Sequence, residues 1–134
     1  MLVKGLVEEE GSAQAGLLIA RGLAGQEQLV APSWCWAEVG TTLRQKASRR
    51  LLSGEDADRL WAGFAELPID YVGGPELQRW TWEVAKRHAL PTLYDAAFLA
   101  CAELTGAQEF WTADRALLRS LGDERPAYVR ELGA

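Results

Sequence analysis

Three acidic residues, Glu38, Asp95 and Asp114, stand where helical sequence begins. Asp95 lies in Leu-Tyr-Asp-Ala-Ala-Phe and Asp114 in Phe-Trp-Thr-Ala-Asp-Arg, each at the seam between an extended segment and a predicted helix. Three carboxylates brought together repel, and one is pushed toward protonation unless a cation intervenes. Mg²⁺ or Mn²⁺ prefers oxygen ligands and can activate a bound water to attack a phosphodiester. We therefore interpret the three acids as a candidate metal site.

Each acid also has a structural interpretation that is sufficient on its own. Thr92 and Asp95 have the spacing of a capping box in which Asp replaces the usual Glu. Asp114 is placed to cap a helix that begins at Arg115. Glu38 is favoured near a helix N-terminus by the helix dipole. Both interpretations therefore stay open for each acid taken singly.

The elements that must position these acids alternate between strand and helix. Apolar periodicity together with Pro and Gly boundaries predicts helices over about residues 12–25, 55–66, 75–88, 95–104 and 115–121, and a further helix that opens at Ser33 and contains Leu43. Short β-branched or aromatic runs predict strands at 29–31, 69–72, 109–112 and 127–129. The helix from Asp95 to Leu104 is apolar on nearly every side, which is typical of a central, buried helix.

This alternation predicts an α/β fold with a mainly parallel sheet and helices on both faces. Functional crevices in such sheets lie beyond the carboxyl ends of the strands, where Asp114 would fall. The 134 residues are expected to form a single domain, 1–134.

Composition limits the classes of function. The net charge of −5 argues against broad, passive attraction to nucleic acid, so any nucleic-acid activity must be local. No apolar run approaches the roughly 20 residues that cross a bilayer, and the N-terminus has no secretory signal, so we expect a cytoplasmic protein with no membrane partner. Cys35 and Cys101 are expected to be reduced core residues.

Four segments together resemble the PIN-domain ribonucleases, most closely the VapC-type toxins of type II toxin–antitoxin systems. The residues from Val3 to Ser12 are similar to that family's first strand-to-helix passage, and Ala31-Pro-Ser-Trp-Cys-Trp-Ala-Glu-Val to the segment of its second acid. Tyr94-Asp95-Ala96-Ala97 resembles its third-acid motif, and Thr112-Ala-Asp114 its fourth. The resemblance covers almost the whole chain.

The resemblance implies a PIN-like three-layer α/β/α sandwich with a central, mainly parallel sheet. It assigns Mg²⁺ or Mn²⁺ binding and catalysis to Glu38, Asp95 and Asp114, with Thr112 as a supporting hydroxyl and Arg115 as a possible phosphate contact. The implied activity is endonucleolytic cleavage of RNA phosphodiester bonds by a metal-activated water. The implied partners are the RNA substrate, a cognate antitoxin that blocks the acidic site, and a second copy of the chain in a homodimer.

The family pattern begins with a strand that ends in an Asp, and Met1 corresponds to a position just past that motif. We therefore expect the sheet to lack its first strand and the site to lack its first acid. Either translation starts upstream or the strand has been lost. The alternative function is a catalytically impaired PIN-like binding module that engages RNA or an antitoxin without cutting.

Overall fold

The protein is a mixed α/β structure of short parallel strands and longer helices. A computed structural model describes residues 2–3, 24, 28–112 and 114–132. The described strands are β1 (Leu2–Val3), β2 (Leu29–Pro32), β3 (Ile69–Val72), β4 (Phe110–Thr112) and β5 (Val129–Glu131). The described α-helices are α1 (Cys35–Ser48), α2 (Gly54–Ala65), α3 (Gly74–Arg87), α4 (Leu93–Thr105) and α5 (Arg115–Leu121).

The strands form two small sheets in which every pairing is parallel. One sheet has the order β1-β4-β5, and the other pairs β2 with β3 from Leu29↔Ile69 to Pro32↔Val72. Cα atoms of β1 and β2 approach within 8 Å, which is closer than the roughly 10 Å between stacked sheets. The two sheets therefore lie next to each other at β1 and β2, with no hydrogen-bonded pairing between these two strands among the described residues. Parallel pairing was predicted from the alternation of elements, and it is confirmed.

The N-terminal strand departs from the sequence expectation. The sheet was expected to lack its first strand, but Leu2 and Val3 pair in parallel with Phe110 and Trp111. The short strand β1 therefore pairs with the edge of β4 that faces away from β5. The helix predicted from Ser12 lies outside the described residues.

Most predicted boundaries hold to within two residues, which is the usual uncertainty of helix and strand ends. The strand Ile69–Val72 and the helix Arg115–Leu121 match their predictions. The last strand was predicted at 127–129 and lies at Val129–Glu131, because its register is set by pairing with Phe110–Thr112. Strand registry of this kind depends on the partner strand, which local sequence does not specify.

Local chemistry explains where the helices start and stop. Ser53 precedes α2, and its hydroxyl accepts a 3.0 Å hydrogen bond from the Asp56 N–H. Pro75 lies in the first turn of α3, where its missing N–H removes no helical hydrogen bond. Gly106 ends α4 with φ of 68°, a left-handed conformation that glycine adopts without a Cβ clash.

The central helix α4 is the middle of the core. Every residue from Ala96 to Ala102 is at most 4% exposed, as expected from its apolar sequence on all sides. It packs against α3, β2 and β4. Cys35 and Cys101 are both free thiols in this core, which confirms that they are reduced and buried.

Burial accounts for the inert character of these thiols. Burial raises the pKa of Cys35 to about 11, and the nearby Glu38 carboxylate acts in the same direction. Burial likewise raises the pKa of Cys101 to about 12. Both thiols therefore stay protonated near neutral pH, and they are unreactive because only the thiolate is nucleophilic.

Among the helices that the structure describes, none is both long and apolar enough to cross a bilayer.

Candidate active site at the carboxyl edge of the strands

Helices α3 and α4 begin at the same end of the molecule. Gly73 directly follows β3, and it lines the same groove as Tyr94 in the first turn of α4. Near the other ends of the two helices, the Arg87 guanidinium reaches the Glu103 carboxylate at 3.1 Å. The helices therefore run side by side in the same direction, and α4 starts at the carboxyl edge of β3.

Trp34 connects this edge to the start of α1. It lies between β2 and α1, and its ring makes edge-to-face contacts with Tyr94 and Phe98, at centroid distances of 5.3 and 5.4 Å. Phe98 in turn packs against Phe110 of β4 at 5.9 Å. Aromatic pairs of this geometry add roughly 0.5–1.5 kcal/mol beyond the area they bury. The first turns of α1 and α4 are thereby held together against β4.

Asp114 is a helix cap at the end of β4. Its Oδ1 accepts a 3.0 Å hydrogen bond from the Leu117 N–H, which confirms the predicted capping role for α5. Its own N–H donates to Thr112 Oγ1 at 3.0 Å. Thr112 is fully buried, so its hydroxyl anchors the turn from β4 into α5. Capping uses one carboxylate oxygen of Asp114, and an ionised carboxylate has about four acceptor positions.

Asp95 lies in the first turn of α4 and is partly buried. Its N–H donates a long hydrogen bond of 3.5 Å to Thr92 Oγ1, so the predicted Thr92 cap is present. The cap uses the backbone N–H of Asp95, so the capping interpretation of Thr92 is confirmed. The metal-binding role of the Asp95 carboxylate stays a prediction.

Glu38 lies in the first turn of α1 and is exposed. Its N–H donates to the Trp34 carbonyl at 3.4 Å, and its carbonyl accepts from Thr42 Oγ1 at 3.0 Å. The Glu38 carboxylate is close enough to contribute to the raised pKa of Cys35. Glu38 and Asp95 thus lie in first helical turns, and Asp114 lies at a helix cap.

The three acids do not form a ligand group in the part of the chain that the structure describes. Within residues 2–3, 24, 28–112 and 114–132, no three His, Cys, Asp or Glu side chains are gathered so that they could hold a metal ion. Carboxylate oxygens are the donors that Mg²⁺ and Mn²⁺ prefer. The donor type therefore suits the predicted cation, whereas the described arrangement does not group three donors around one point. The metal site stays a prediction.

Arg115, the predicted phosphate contact, is exposed at the first position of α5. It follows Asp114 directly and so lies at the same edge. Helix N-termini attract anions because their first N–H groups point outward. The position is compatible with a phosphate contact, which stays a prediction.

A partly exposed polar cluster around Glu103, at the far end of α4, was not predicted from sequence. The Glu103 carboxylate accepts hydrogen bonds from Trp80 Nε1 at 3.0 Å, from Arg87 at 3.1 and 3.2 Å, and from the Tyr128 hydroxyl at 2.5 Å. Burial raises the pKa of Glu103, but the hydrogen bonds from Tyr128, Trp80 and Arg87 lower it more, so the net pKa is lowered. The cluster joins α3, α4 and the approach to β5.

A second feature missed by sequence analysis is a groove of about 640 Å³ between α1 and α2. Trp36 and Trp61 line it and are 53% and 39% exposed. Gly40 lies beneath the Trp61 ring, where a Cβ would come within 3.0 Å of that ring. The missing side chain at Gly40 allows the two helices to approach closely.

No protein-family model matches the chain. No curated protein matches it either. The resemblance to the PIN-domain ribonucleases therefore rests on the four motifs and their order.

Proposed function

We propose that the chain is a metal-dependent endoribonuclease of the PIN-domain, VapC type, with a three-layer α/β/α architecture. The observation that supports this most strongly is that Glu38 and Asp95 lie in the first turns of α1 and α4 and that Asp114 caps α5 directly after β4. Ligands of open parallel sheets bind beyond the carboxyl ends of the strands. The order of the acids along the chain agrees with the family motifs.

The residues of the chain would act by positioning. Thr112 fixes the turn that presents Asp114, and Trp34 holds the first turn of α4 that carries Asp95. Bound Mg²⁺ or Mn²⁺ supplies an activated water and offsets phosphate charge in reactions of this class. Arg115, exposed at the first position of α5, would contact a phosphate of the RNA. The net charge of −5 means that RNA would be held by local contacts.

The test is cleavage of single-stranded RNA by the purified chain with added Mn²⁺. Asp95→Asn and Asp114→Asn remove charge with little change in shape, and Asn caps a helix about as well as Asp, so Asp114→Asn keeps α5 intact. Asp58→Asn, on the exposed surface of α2, is the matched control. We expect both edge variants to lose cleavage and the control to retain it. Equal cleavage by all three would reject the proposal.

A second candidate is a PIN-like binding module that engages RNA or a protein without cutting. It is favoured by the finding that no three metal-ligating side chains are grouped in the described residues. RNA binding without cleavage, at any Mn²⁺ concentration, would support this alternative. The same assay therefore separates the two candidates.

The proposed partners are a cognate antitoxin and a second copy of the chain. The surface best suited to an antitoxin helix is the groove between α1 and α2, because Trp36, Leu60 and Trp61 expose apolar area beside it. Aromatic anchors of this kind are enriched at protein interfaces. Trp36→Ala should weaken a complex formed on co-expression, whereas Trp82→Ala on α3 should not. A homodimer is tested by sedimentation of the isolated chain.

A further inference from the structure

A groove of about 430 Å³ lies between α3 and α4 and ends at the loop that follows β2. Its volume falls within the range of roughly 300–1,000 Å³ that is typical of small-molecule sites. Leu77, Tyr94 and Ala97 supply apolar walls, and Ser33 and Gln78 supply polar groups. Among the described residues that line it, no side chain carries a charge.

Thr81 is the lining residue that points to a ligand. It is 5% exposed, and its Oγ1 is buried without a hydrogen-bond partner. Buried hydroxyls are nearly always paired, either with protein or with water. Thr81 lies one helical turn after Leu77, so both face the same groove. The groove therefore has a hydrogen-bonding group that the described residues leave unsatisfied.

We propose that this groove binds one unstacked nucleobase of single-stranded RNA, an inference that rests on the proposed ribonuclease function. A nucleobase has apolar faces and hydrogen-bonding edges and carries no charge, which matches the lining. Tyr94 is 66% exposed and its ring is held against Trp34, so it offers a stacking surface. Ser33, Gln78 and Thr81 offer partners for the polar edge of the base.

A phosphate is a poorer fit for the same groove. The first turn of α3 adjoins it, and helix N-termini attract anions, but Glu76 already places a carboxylate in that turn. No lysine or arginine lines the groove among the described residues. The groove would therefore hold the base while the phosphate lies toward Asp95, which directly follows Tyr94.

The test is binding of a fluorescently labelled, single-stranded RNA oligonucleotide in EDTA, measured by fluorescence anisotropy. Tyr94→Ala should weaken binding about tenfold or more through loss of stacking. Thr81→Val keeps the shape of the side chain and should weaken binding about fivefold through loss of one hydrogen bond. Thr41→Val, at an exposed position of α1, and Trp82→Ala, at an exposed position of α3, are the matched controls. Both should bind the RNA as tightly as the unaltered chain does.

Thr81→Val should also fold normally, because it removes a buried hydroxyl that has no partner. Unchanged RNA affinity in both Tyr94→Ala and Thr81→Val would overturn the inference, as would equal affinity for an intact RNA and one made abasic throughout. If RNA cleavage is lost in Asp95→Asn but unchanged in Tyr94→Ala and Thr81→Val, the base site is rejected and the proposed ribonuclease function is kept. If the chain binds RNA in a base-dependent way but does not cleave it, the ribonuclease function is rejected and the base site is kept.

Discussion

The Tyr128 hydroxyl donates a hydrogen bond of 2.5 Å to Glu103 Oε2. The two residues are 25 positions apart and join the approach to β5 to the end of α4. Burial raises the pKa of Tyr128 well above its ordinary value, and the hydrogen bond and charge of Glu103 raise it further. The pair therefore holds the far end of the central helix, opposite the carboxyl edge.

Tyr128→Phe removes the hydroxyl and keeps the ring. We expect the free energy of unfolding to fall by about 1–2 kcal/mol, because a hydrogen bond to a partly buried carboxylate is lost. Glu103 keeps its bonds from Trp80 and Arg87, which limits the loss. Urea denaturation measures the change. Tyr71→Phe, at an exposed tyrosine of β3, is the control and should change stability little.

Stability should fall in acid through Glu103. Its pKa is lowered in the folded chain, so below the ordinary value of 4.5 the unfolded chain binds the proton more readily. The stabilising contribution is therefore present above that pH and is lost as pH falls through the lowered pKa. Glu103→Gln should be less stable than the unaltered chain near neutral pH, and the difference should shrink in acid. Melting curves at several pH values test this, and a constant difference would contradict it.

Asp114→Ala should separate the capping role from the proposed chemistry. Loss of the cap should cost about 1 kcal/mol of stability, whereas Asp114→Asn should cost only a few tenths. Both should lose RNA cleavage, because neither retains the charge. Thermal melting and the Mn²⁺ cleavage assay measure the two effects separately. Cleavage retained by Asp114→Asn would assign this residue a structural role alone.

Gly74→Ala and Gly63→Ala should have opposite effects on stability. Gly74 has φ of 86°, so a Cβ there should cost about 1–2 kcal/mol. Gly63 lies in α2 with nothing within 4 Å of an added Cβ, so alanine there should stabilise the helix by up to about 1 kcal/mol. Chemical denaturation of both variants tests the pair. Destabilisation by Gly63→Ala would show that α2 does not tolerate a side chain at that position.

The sequence was a good guide wherever short-range chemistry decides the structure. Asp114 was identified as a cap because it directly precedes an apolar helical pattern, and Thr92 because of its spacing from Asp95. The strand Ile69–Val72 was bounded by Pro68 and by Gly73-Gly74, whose turn chemistry is local. The buried helix α4 followed from a run that is apolar on every face.

Other features were not predictable because their parts are distant in sequence. The donors to Glu103 come from 16 to 25 residues away, and nothing in their local sequence marks them as a set. The N-terminal strand Leu2–Val3 is too short to show a period, and only its pairing with Phe110 and Trp111 defines it. Whether the three acids form a ligand group depends on side-chain placement, which spacing does not determine.

The sequence by itself determined the order of strands and helices from β2 onward, and the caps at Thr92 and Asp114. These depend on residues within one or two turns of each other. The tertiary structure alone decided that α3 and α4 run side by side, that Trp34 holds the start of α4, and that a groove with an unpaired Thr81 hydroxyl adjoins Tyr94. Those relationships depend on how packed helices meet, because long-range contacts fix their angle and register.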